Sequence, residues 1–309
     1  MKVKELFDLW LTKYMKLSVK VRTYNKYKDI INLRIIPEFG DYDIDKITTN
    51  MIQEFILKLL NKGNLVNDKP LSVNTIYGII SVLKQGFNLA ISLDIINKNP
   101  TTSIKMPKAS EKEICALTRE EQKKVEEYCI NNRKGNYMGI ILCLYTGIRL
   151  GELLALTWDD IDFEKKVLFI RKTTYKAKIA GKNEMVVDKP KTKKSKRVIP
   201  LADKIINLLS YIKKHSESEY IISTNKHNIV DVRSYQRTFE SILNRCHIKH
   251  YNFHCLRHTF ATRALELGMD IKTLSEILGH TNVAITLNRY AHSLFEYKVQ
   301  EMNKISSLL

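Results

Sequence analysis

The second part of the chain contains the residue types that transfer of a phosphoryl group requires: cations for the nonbridging oxygens, a nucleophile, and a proton for the leaving oxygen. Arg149 follows Gly147 at a predicted turn before an apolar helix, where its forked guanidinium fits two phosphate oxygens. His254 and Arg257 are one helical turn apart. Gly279 is predicted to end a helix. The sequence therefore predicts phosphate ligands at the starts and ends of helices.

The order of these residues is more specific than any one of them. His280 follows Gly279 directly, and Tyr290 lies ten residues further on. With Arg149, His254 and Arg257, this set resembles the signature of the tyrosine recombinases, the phage-integrase family, in order and in spacing. The resemblance covers essentially the whole chain, and it is closest to integrases of phages and conjugative transposons. A fold and a mechanism follow from it as expectations.

The resemblance assigns the charged residues of the site. It implies that Arg149 and Arg257 clamp the scissile phosphate and stabilise the charge that develops on it. Lys191 matches the lysine of the family's β-hairpin and would protonate the departing 5′-oxygen. Three neighbouring lysines leave that choice open, namely Lys189, Lys193 and Lys194.

The resemblance also assigns the nucleophile and the histidines. It implies that Tyr290 attacks the phosphate to form a 3′-phosphotyrosine, that His254 helps to accept the tyrosine proton, and that His280 hydrogen-bonds the phosphate. The bond energy is kept in the covalent link, so neither a metal nor another cofactor is expected. Tyr297 is a nearby tyrosine without the required spacing from His280.

Other residues near these motifs have simpler interpretations. His254 and His258 have a spacing that can bind zinc, but Cys255 stands where a zinc protease motif needs glutamate. His258 is therefore predicted to be a packed or supporting histidine. Glu152 is predicted to support a basic residue or the local helix. The acidic run at 158–162 is predicted to lie in a turn before the sheet, without catalytic partners.

Composition points to a polyanion as the partner. The 309 residues include 51 lysines and arginines against 33 acidic residues, a net charge of +18. A merely basic surface is the alternative. The five cysteines lack a C-x-x-C pair and are predicted to be buried, reduced thiols. The amino-terminal sequence lacks the features of a secretory signal, which favours a cytoplasmic protein.

The periodicity predicts a mainly α-helical protein with a small antiparallel β-sheet, and the resemblance identifies its parts. We expect a helical, SAM-like core-binding domain at 1–105, a linker at 106–113 and a catalytic domain at 114–309. Thr48 and Ser72 are candidate helix caps, and Thr118 with Glu121 forms a capping-box pattern. Strand-like segments between 162 and 200 predict a β-hairpin insert.

The expected partner is double-stranded DNA with paired core sites, held in a clamp formed by the two domains. A homotetramer would assemble through a tail helix that presents Val299, Met302 and Ile305, with an excisionase or a host DNA-bending protein as further partners. The expected function is integration or excision of a mobile element, without the arm-binding domain that such integrases often have. Alternatives are a Xer-like dimer resolvase, a non-cleaving architectural factor, and a type IB topoisomerase.

Overall fold

The computed structural model describes residues 1–108, 115–132, 135–179, 181–188, 196–290 and 302–303. It separates into two compact units, Met1–Lys112 with Ala177–Lys182, and Glu113–Lys176 with Asn183–Leu309. The architecture is mainly helical with a small antiparallel sheet, which confirms the predicted fold class. The domain boundaries remain a prediction, because residues 109–114 lie outside the described residues.

The first unit is helical, as its apolar spacing predicts, and its described residues form four longer helical runs and a short 3-10 helix (Ile44–Lys46). The first two runs each contain a π-helical segment in their middle. The runs are α1 (Val3–Leu9), Trp10–Met15 and α2 (Lys16–Ser18); α3 (Val21–Ile30), Ile31–Ile35 and α4 (Ile36–Phe39); α5 (Thr49–Lys62); and α6 (Val73–Ser92). The Thr48 side chain accepts a hydrogen bond from the Met51 amide and that of Ser72 from the Thr75 amide, so both predicted caps are confirmed.

The core of the first unit joins its first and last helical runs. Phe7 of α1 is completely buried and meets Phe87 of α6 edge to face, with ring centroids 6.5 Å apart. Gly86 of α6 lies directly under the Phe7 ring, and a methyl group at that position would overlap the ring carbons. This glycine is therefore needed for the close approach of the two helices.

The described residues of the second unit form eight further α-helices. Thr118 and Glu121 exchange backbone and side-chain hydrogen bonds at 2.9 and 3.1 Å, which confirms the predicted capping box at the start of the first of them. The helices are α7 (Arg119–Asn132), α8 (Gly135–Thr146), α9 (Leu150–Leu153), α10 (Asp203–Lys214), α11 (Val232–Arg245), α12 (Cys255–Glu266), α13 (Ile271–Leu278) and α14 (Val283–Tyr290). Helix α8 is buried along most of its length and packs against α12.

The predicted antiparallel sheet is present as two small sheets, whose described strands lie between residues 161 and 200. Its strands are β1 (Ile161–Asp162), β2 (Val167–Ile170), β3 (Thr173–Ile179), β4 (Lys182–Asp188) and β5 (Arg197–Pro200). Strands β1, β2 and β5 form an antiparallel sheet in the order β1-β2-β5, and β3 pairs with β4. In the first sheet Leu168 faces Ile199 and Ile170 faces Arg197, so strand pairing fixes the position of Arg197.

The cysteine prediction is partly wrong. Cys129, Cys143 and Cys255 are buried, and burial raises the pKa of the Cys129 thiol to about 12. Cys115 is exposed and Cys246 is only half-buried. Cys115 lies before α7 in a segment that is neither helix nor strand, and Cys246 caps the end of α11, so neither position belongs to the inner face of a helix.

Two glycines of α6 give a test of its packing. Gly86→Ala should lower the free energy of unfolding by about 1–3 kcal/mol, because the added methyl group has no room beside Phe7. Gly78→Ala is the matched control in the same helix, since a methyl group there meets only the Lys26 ammonium at 3.9 Å. It should stabilise the protein by about 1 kcal/mol through helix propensity. Urea unfolding of both variants measures this, and equal effects would contradict the packing.

Candidate active site

Arg149 lies where the sequence predicts it, at the turn between a buried helix and a short one. Helix α8 ends at Thr146, and Gly147 takes the left-handed conformation with φ +63°. A side chain on Gly147 would press into Phe260 and Leu278, so the turn requires glycine twice over. Arg149 is the N-cap residue of α9, and its side chain is 38% exposed. The guanidinium therefore reaches solvent from a fixed backbone.

Arg257 approaches the same place from α12. Its side chain is buried, and it donates hydrogen bonds to the carbonyl oxygens of Gly147 at 2.7 Å and Leu278 at 2.8 Å. Arg149 donates to the next carbonyl, that of Gly279, at 3.2 Å. Because Leu278 and Gly279 are consecutive residues, the two guanidinium groups lie side by side at the end of α13.

The closeness of the two cations affects their chemistry. Burial and the nearby positive charge of Arg149 together lower the pKa of Arg257 to about 9, although the charges of Glu152 and Tyr290 act in the opposite direction. Arg257 stays charged at neutral pH. The arrangement concentrates positive charge on one small region of the second unit, as a ligand with two adjacent anionic oxygens would require.

Glu152 neutralises part of this charge, which confirms its predicted supporting role. Its carboxylate is nearly buried and accepts hydrogen bonds from the guanidinium of Arg149 at 2.8 Å and from that of Arg197 at 2.8 and 3.1 Å. Burial acts to raise the pKa of Glu152, but the hydrogen bonds and charge of Arg197, followed by the charge of Arg149, lower it to about 2. The carboxylate is therefore ionised throughout the neutral range.

Sequence analysis did not select Arg197 as a site residue. The side chain is only 6% exposed and also donates to the carbonyl of Ile277 at the end of α13. Strand β5 alternates, with Ile199 in the core, and this period of two places Arg197 on the same side of the strand. That alternation was the available signal. Arg197 connects the strand after the lysine-rich hairpin to both Glu152 and α13.

Gly279 and His280 end α13 as predicted. Gly279 is left-handed with φ +65°, and a side chain there would come within 3.0 Å of the Arg197 side chain. The amide of His280 donates to the carbonyl of Ser275, and its Nδ1 lies 2.7 Å from the hydroxyl of Thr286 in α14. The orientation of the His280 ring is thus fixed by the helix that carries Tyr290.

Tyr290 meets a histidine that the sequence analysis did not select. The tyrosine is 2% exposed, at the end of α14, and its hydroxyl lies 2.9 Å from Nδ1 of His258. His254 is exposed at the N-cap of α12, with its ring centroid 4.7 Å from that of His258. This contact is compatible with the predicted packed or supporting role of His258, whose position four residues after the N-cap brings its ring to Tyr290.

Several predicted features fall outside the described residues. These are Lys191 with Lys189, Lys193 and Lys194, the tyrosine at 297, and most of the tail including Val299 and Ile305; Met302 is described and exposed. In the acidic run, Asp160 pairs with Lys172 at 2.8 Å, which fits the predicted absence of a catalytic role. Among the residues that the structure describes, no group of three or more His, Cys, Asp or Glu is placed to hold a metal ion.

A tyrosine hydroxyl and paired arginines on one helical scaffold are features of a phosphoryl-transfer site with a tyrosine nucleophile. The phage integrase family matches residues 105–297, and the family's N-terminal SAM-like domain matches residues 2–60. The chain is 31% identical to a XerC-like tyrosine recombinase of Caldanaerobacter subterraneus, over 98% of this chain and 82% of that protein. The chain belongs to the phage integrase family and is a tyrosine-type site-specific recombinase.

Other relatives and solved structures agree with this assignment. The ICEBs1 integrase of Bacillus subtilis is 28% identical, over 95% of this chain and 80% of its own length, and the Tn916 transposase of Enterococcus faecalis is 25% identical, over 94% and 74%. The fold is similar to the Tn1549 transposon integrase in complex with circular intermediate DNA, with a TM-score of 0.82, 24% identity and 99% coverage of both chains. A lambda integrase dimer on a core site matches with a TM-score of 0.70, 19% identity, and coverage of 92% and 97%.

The relatives do not favour the Xer-like alternative over an integrase. None of the helices in the described ranges is long and apolar enough to cross a bilayer. The predicted cytoplasmic location stays a prediction.

The buried carboxylate gives a pH-dependent test of the site. Because the pKa of Glu152 falls from 4.5 to about 2 on folding, its ionisation stabilises the protein by about 3 kcal/mol above pH 4.5, and this is lost as the pH falls towards 2. Glu152→Gln should therefore lower the free energy of unfolding by about 3 kcal/mol at pH 6. This loss of stability should fall to about half by pH 3. Urea unfolding at a series of pH values measures it.

The control is Glu38→Gln, which removes a carboxylate paired with the exposed Lys58 at 2.6 Å. This surface pair should contribute less than about 1 kcal/mol at any pH. A deficit for Glu152→Gln that does not change with pH would contradict the role of its charge.

Proposed function

We propose that this recombinase binds double-stranded DNA at paired core sites and that Tyr290 cleaves and rejoins the strands, integrating or excising a mobile element. The observation that supports the proposal most directly is the placement of Arg149 and Arg257 on consecutive carbonyls at the end of α13, next to His280. The charge of Tyr290 also acts to raise the pKa of Arg257, so the two side chains interact electrostatically. These contacts support one site that combines two cations for a phosphate with a nucleophile.

In the proposed reaction the arginines bind the nonbridging oxygens of the scissile phosphate. The carbonyls of Gly147 and Leu278 take one N–H from each terminal nitrogen of Arg257, and each such nitrogen carries two, so donors remain for a phosphate. The positive charge of the two arginines stabilises the transition state more than the ground state. Loss of one such donor typically slows a reaction about 100- to 1000-fold. His280, which directly follows the end of α13, would add a further hydrogen bond to the phosphate.

The remaining groups move protons. Tyr290 attacks phosphorus, the bond to the 5′-oxygen breaks, and a proton from Lys191 converts that oxygen to a hydroxyl. The product is a 3′-phosphotyrosine, which the 5′-hydroxyl of a second strand can attack to rejoin the DNA. His254, in ring contact with His258, helps to remove the tyrosine proton. No metal ion or cofactor takes part in this scheme.

The charge of the protein suits a DNA partner. In residues 1–108, 17 basic residues stand against 10 acidic ones, so the first unit carries its share of the excess of +18. The similar lambda and Tn1549 integrases are seen in complexes with DNA. Relatives named for conjugative and transposable elements support a mobile element as the host of this enzyme.

Strand exchange would take four protomers on two sites. A lambda integrase tetramer is seen on a Holliday junction. We propose that the tail segment from residue 296 onward docks as a helix into a neighbouring protomer. An excisionase or a host DNA-bending protein would determine whether the reaction runs towards integration or towards excision.

Covalent trapping tests the chemistry. A nicked duplex that loses the strand end after cleavage should accumulate a protein–DNA adduct with the wild type but not with Tyr290→Phe, and Arg257→Lys should slow its formation about 100-fold or more. Tyr297→Phe is the matched control and should form the adduct. DNA fragments flanking the gene supply the candidate sites, and denaturing gels measure the product.

Each rival function predicts another result. A non-cleaving DNA-binding protein forms no adduct with the wild type, and a type IB topoisomerase forms adducts at many sequences. Either outcome would contradict a site-specific recombinase.

Removal of residues 296–309 tests the assembly. The truncated protein should bind a single core site as tightly as the whole chain but should not recombine two sites, because the docking segment is missing. Gel-shift titration and a two-site recombination assay measure the two properties. Unchanged recombination would exclude the tail as the contact between protomers.

A further inference from the structure

The described contacts of Tyr290 single out His258. The phenol ring is buried among Ala261, Leu265, Leu274 and Leu278, so its hydroxyl is the only polar part of a side chain in an apolar setting. That hydroxyl lies 2.9 Å from His258 Nδ1, and the two rings are 5.8 Å apart at 60°. The distance is within the range over which a general base takes a proton directly.

The position of His258 in α12 makes this contact well defined. It follows Arg257, whose guanidinium is fixed by the carbonyls of Gly147 and Leu278. The backbone amide of His258 donates to the carbonyl of His254 at 3.2 Å. The two imidazole rings meet edge to face, with an interplanar angle of 88°. One turn of helix therefore holds a phosphate-binding cation and an imidazole at fixed positions relative to each other.

We propose that His258 is a catalytic residue that accepts the proton of the Tyr290 hydroxyl at Nδ1. This inference rests on the proposed function of Tyr290 as the nucleophile. As the bond from the tyrosine oxygen to phosphorus forms, the phenol proton moves to Nδ1 and the bond from phosphorus to the 5′-oxygen breaks. The 5′-oxygen receives a proton from Lys191. On rejoining, His258 returns its proton to the tyrosine.

This assignment fixes the form of the imidazole. To accept at Nδ1, a neutral ring must carry its proton at Nε2. His254, at the exposed N-cap, then acts on the ring of His258 rather than on the tyrosine oxygen, and is a positioning residue. In this scheme His258 accepts the proton and His254 positions the ring of His258.

The test separates proton acceptance from simple holding of the hydroxyl. His258→Asn places an amide oxygen near the position of Nδ1, so it can hold the hydroxyl but cannot carry away its proton; His258→Ala can do neither. Both variants should form the covalent adduct about 100-fold or more slowly than the wild type in single-turnover cleavage of nicked DNA. His250→Asn, an exposed histidine next to Glu240, is the control and should keep the wild-type rate.

A second substrate identifies the side of the reaction. DNA with sulfur in place of the bridging 5′-oxygen releases a thiolate without an acid, so it should restore cleavage by Lys191→Ala but not by His258→Asn or His258→Ala. Binding of nicked DNA by each variant, measured by gel shift, should match the wild type. Equal binding would show that each substitution lowers the rate of the chemical step and not the affinity for DNA.

Three outcomes would overturn the proposal. A wild-type rate of adduct formation by His258→Asn would overturn it, because only a holding role would then remain for His258. Rescue of His258→Asn by the sulfur substrate would place the histidine on the leaving group, and loss of the sulfur reaction in His254→Asn alone would make His254 the acceptor. Adduct formation by Tyr290→Phe would instead overturn the proposed function, so the two failures are distinguishable.

Discussion

The carboxylate of Glu152 accepts hydrogen bonds from the guanidinium groups of Arg149 and Arg197 in a part of the protein that excludes almost all water. A buried anion is costly unless it is paired, and so is a buried arginine. The two requirements are met together here. The carboxylate lets Arg197 be buried and holds Arg149 at the surface, where it can bind an anionic ligand. The positions of the other site residues depend on this pairing.

The arginines in turn fix the backbone around them. Arg257 and Arg197 donate to carbonyls at the end of α13, which has no further turn to satisfy them. Two left-handed glycines, Gly147 and Gly279, allow the chain to turn within contact of these side chains. A helix end, a strand and a loop are therefore joined by guanidinium groups rather than by apolar packing alone. Such a site is preorganised to receive negative charge before a ligand arrives.

The sequence was sufficient for much of this description, and the reasons for its failures are physical. Helix caps at Thr48, Ser72 and Thr118 depend on residues three positions away, so local patterns predicted them correctly. Arg197 was missed because its partners are 45 and 80 residues distant in the chain. The partner of His258 could not be predicted, because helical spacing gives the face of a side chain but not the location of α14.

Resemblance supplied the residues of the candidate site, and geometry supplied their relations. The order of Arg149, His254, Arg257, His280 and Tyr290 pointed to a family. The hydrogen bonds add that the two arginines donate to consecutive carbonyls, that His280 contacts Thr286, and that the Tyr290 hydroxyl lies beside His258. The matching of His254 to a motif did not reveal that its neighbour one turn later contacts the tyrosine. A histidine pair, rather than a single histidine, now accompanies the nucleophile.

The most direct test of the account is the chemical identity of the covalent adduct. Protease digestion and mass spectrometry of the trapped complex should find a nucleotide joined through its 3′-phosphate to the peptide that contains Tyr290, with a free 5′-hydroxyl on the other DNA end. Attachment to another residue such as Tyr297, or through a 5′-phosphate, would contradict the central claim that the arginine cluster directs Tyr290 to the phosphate.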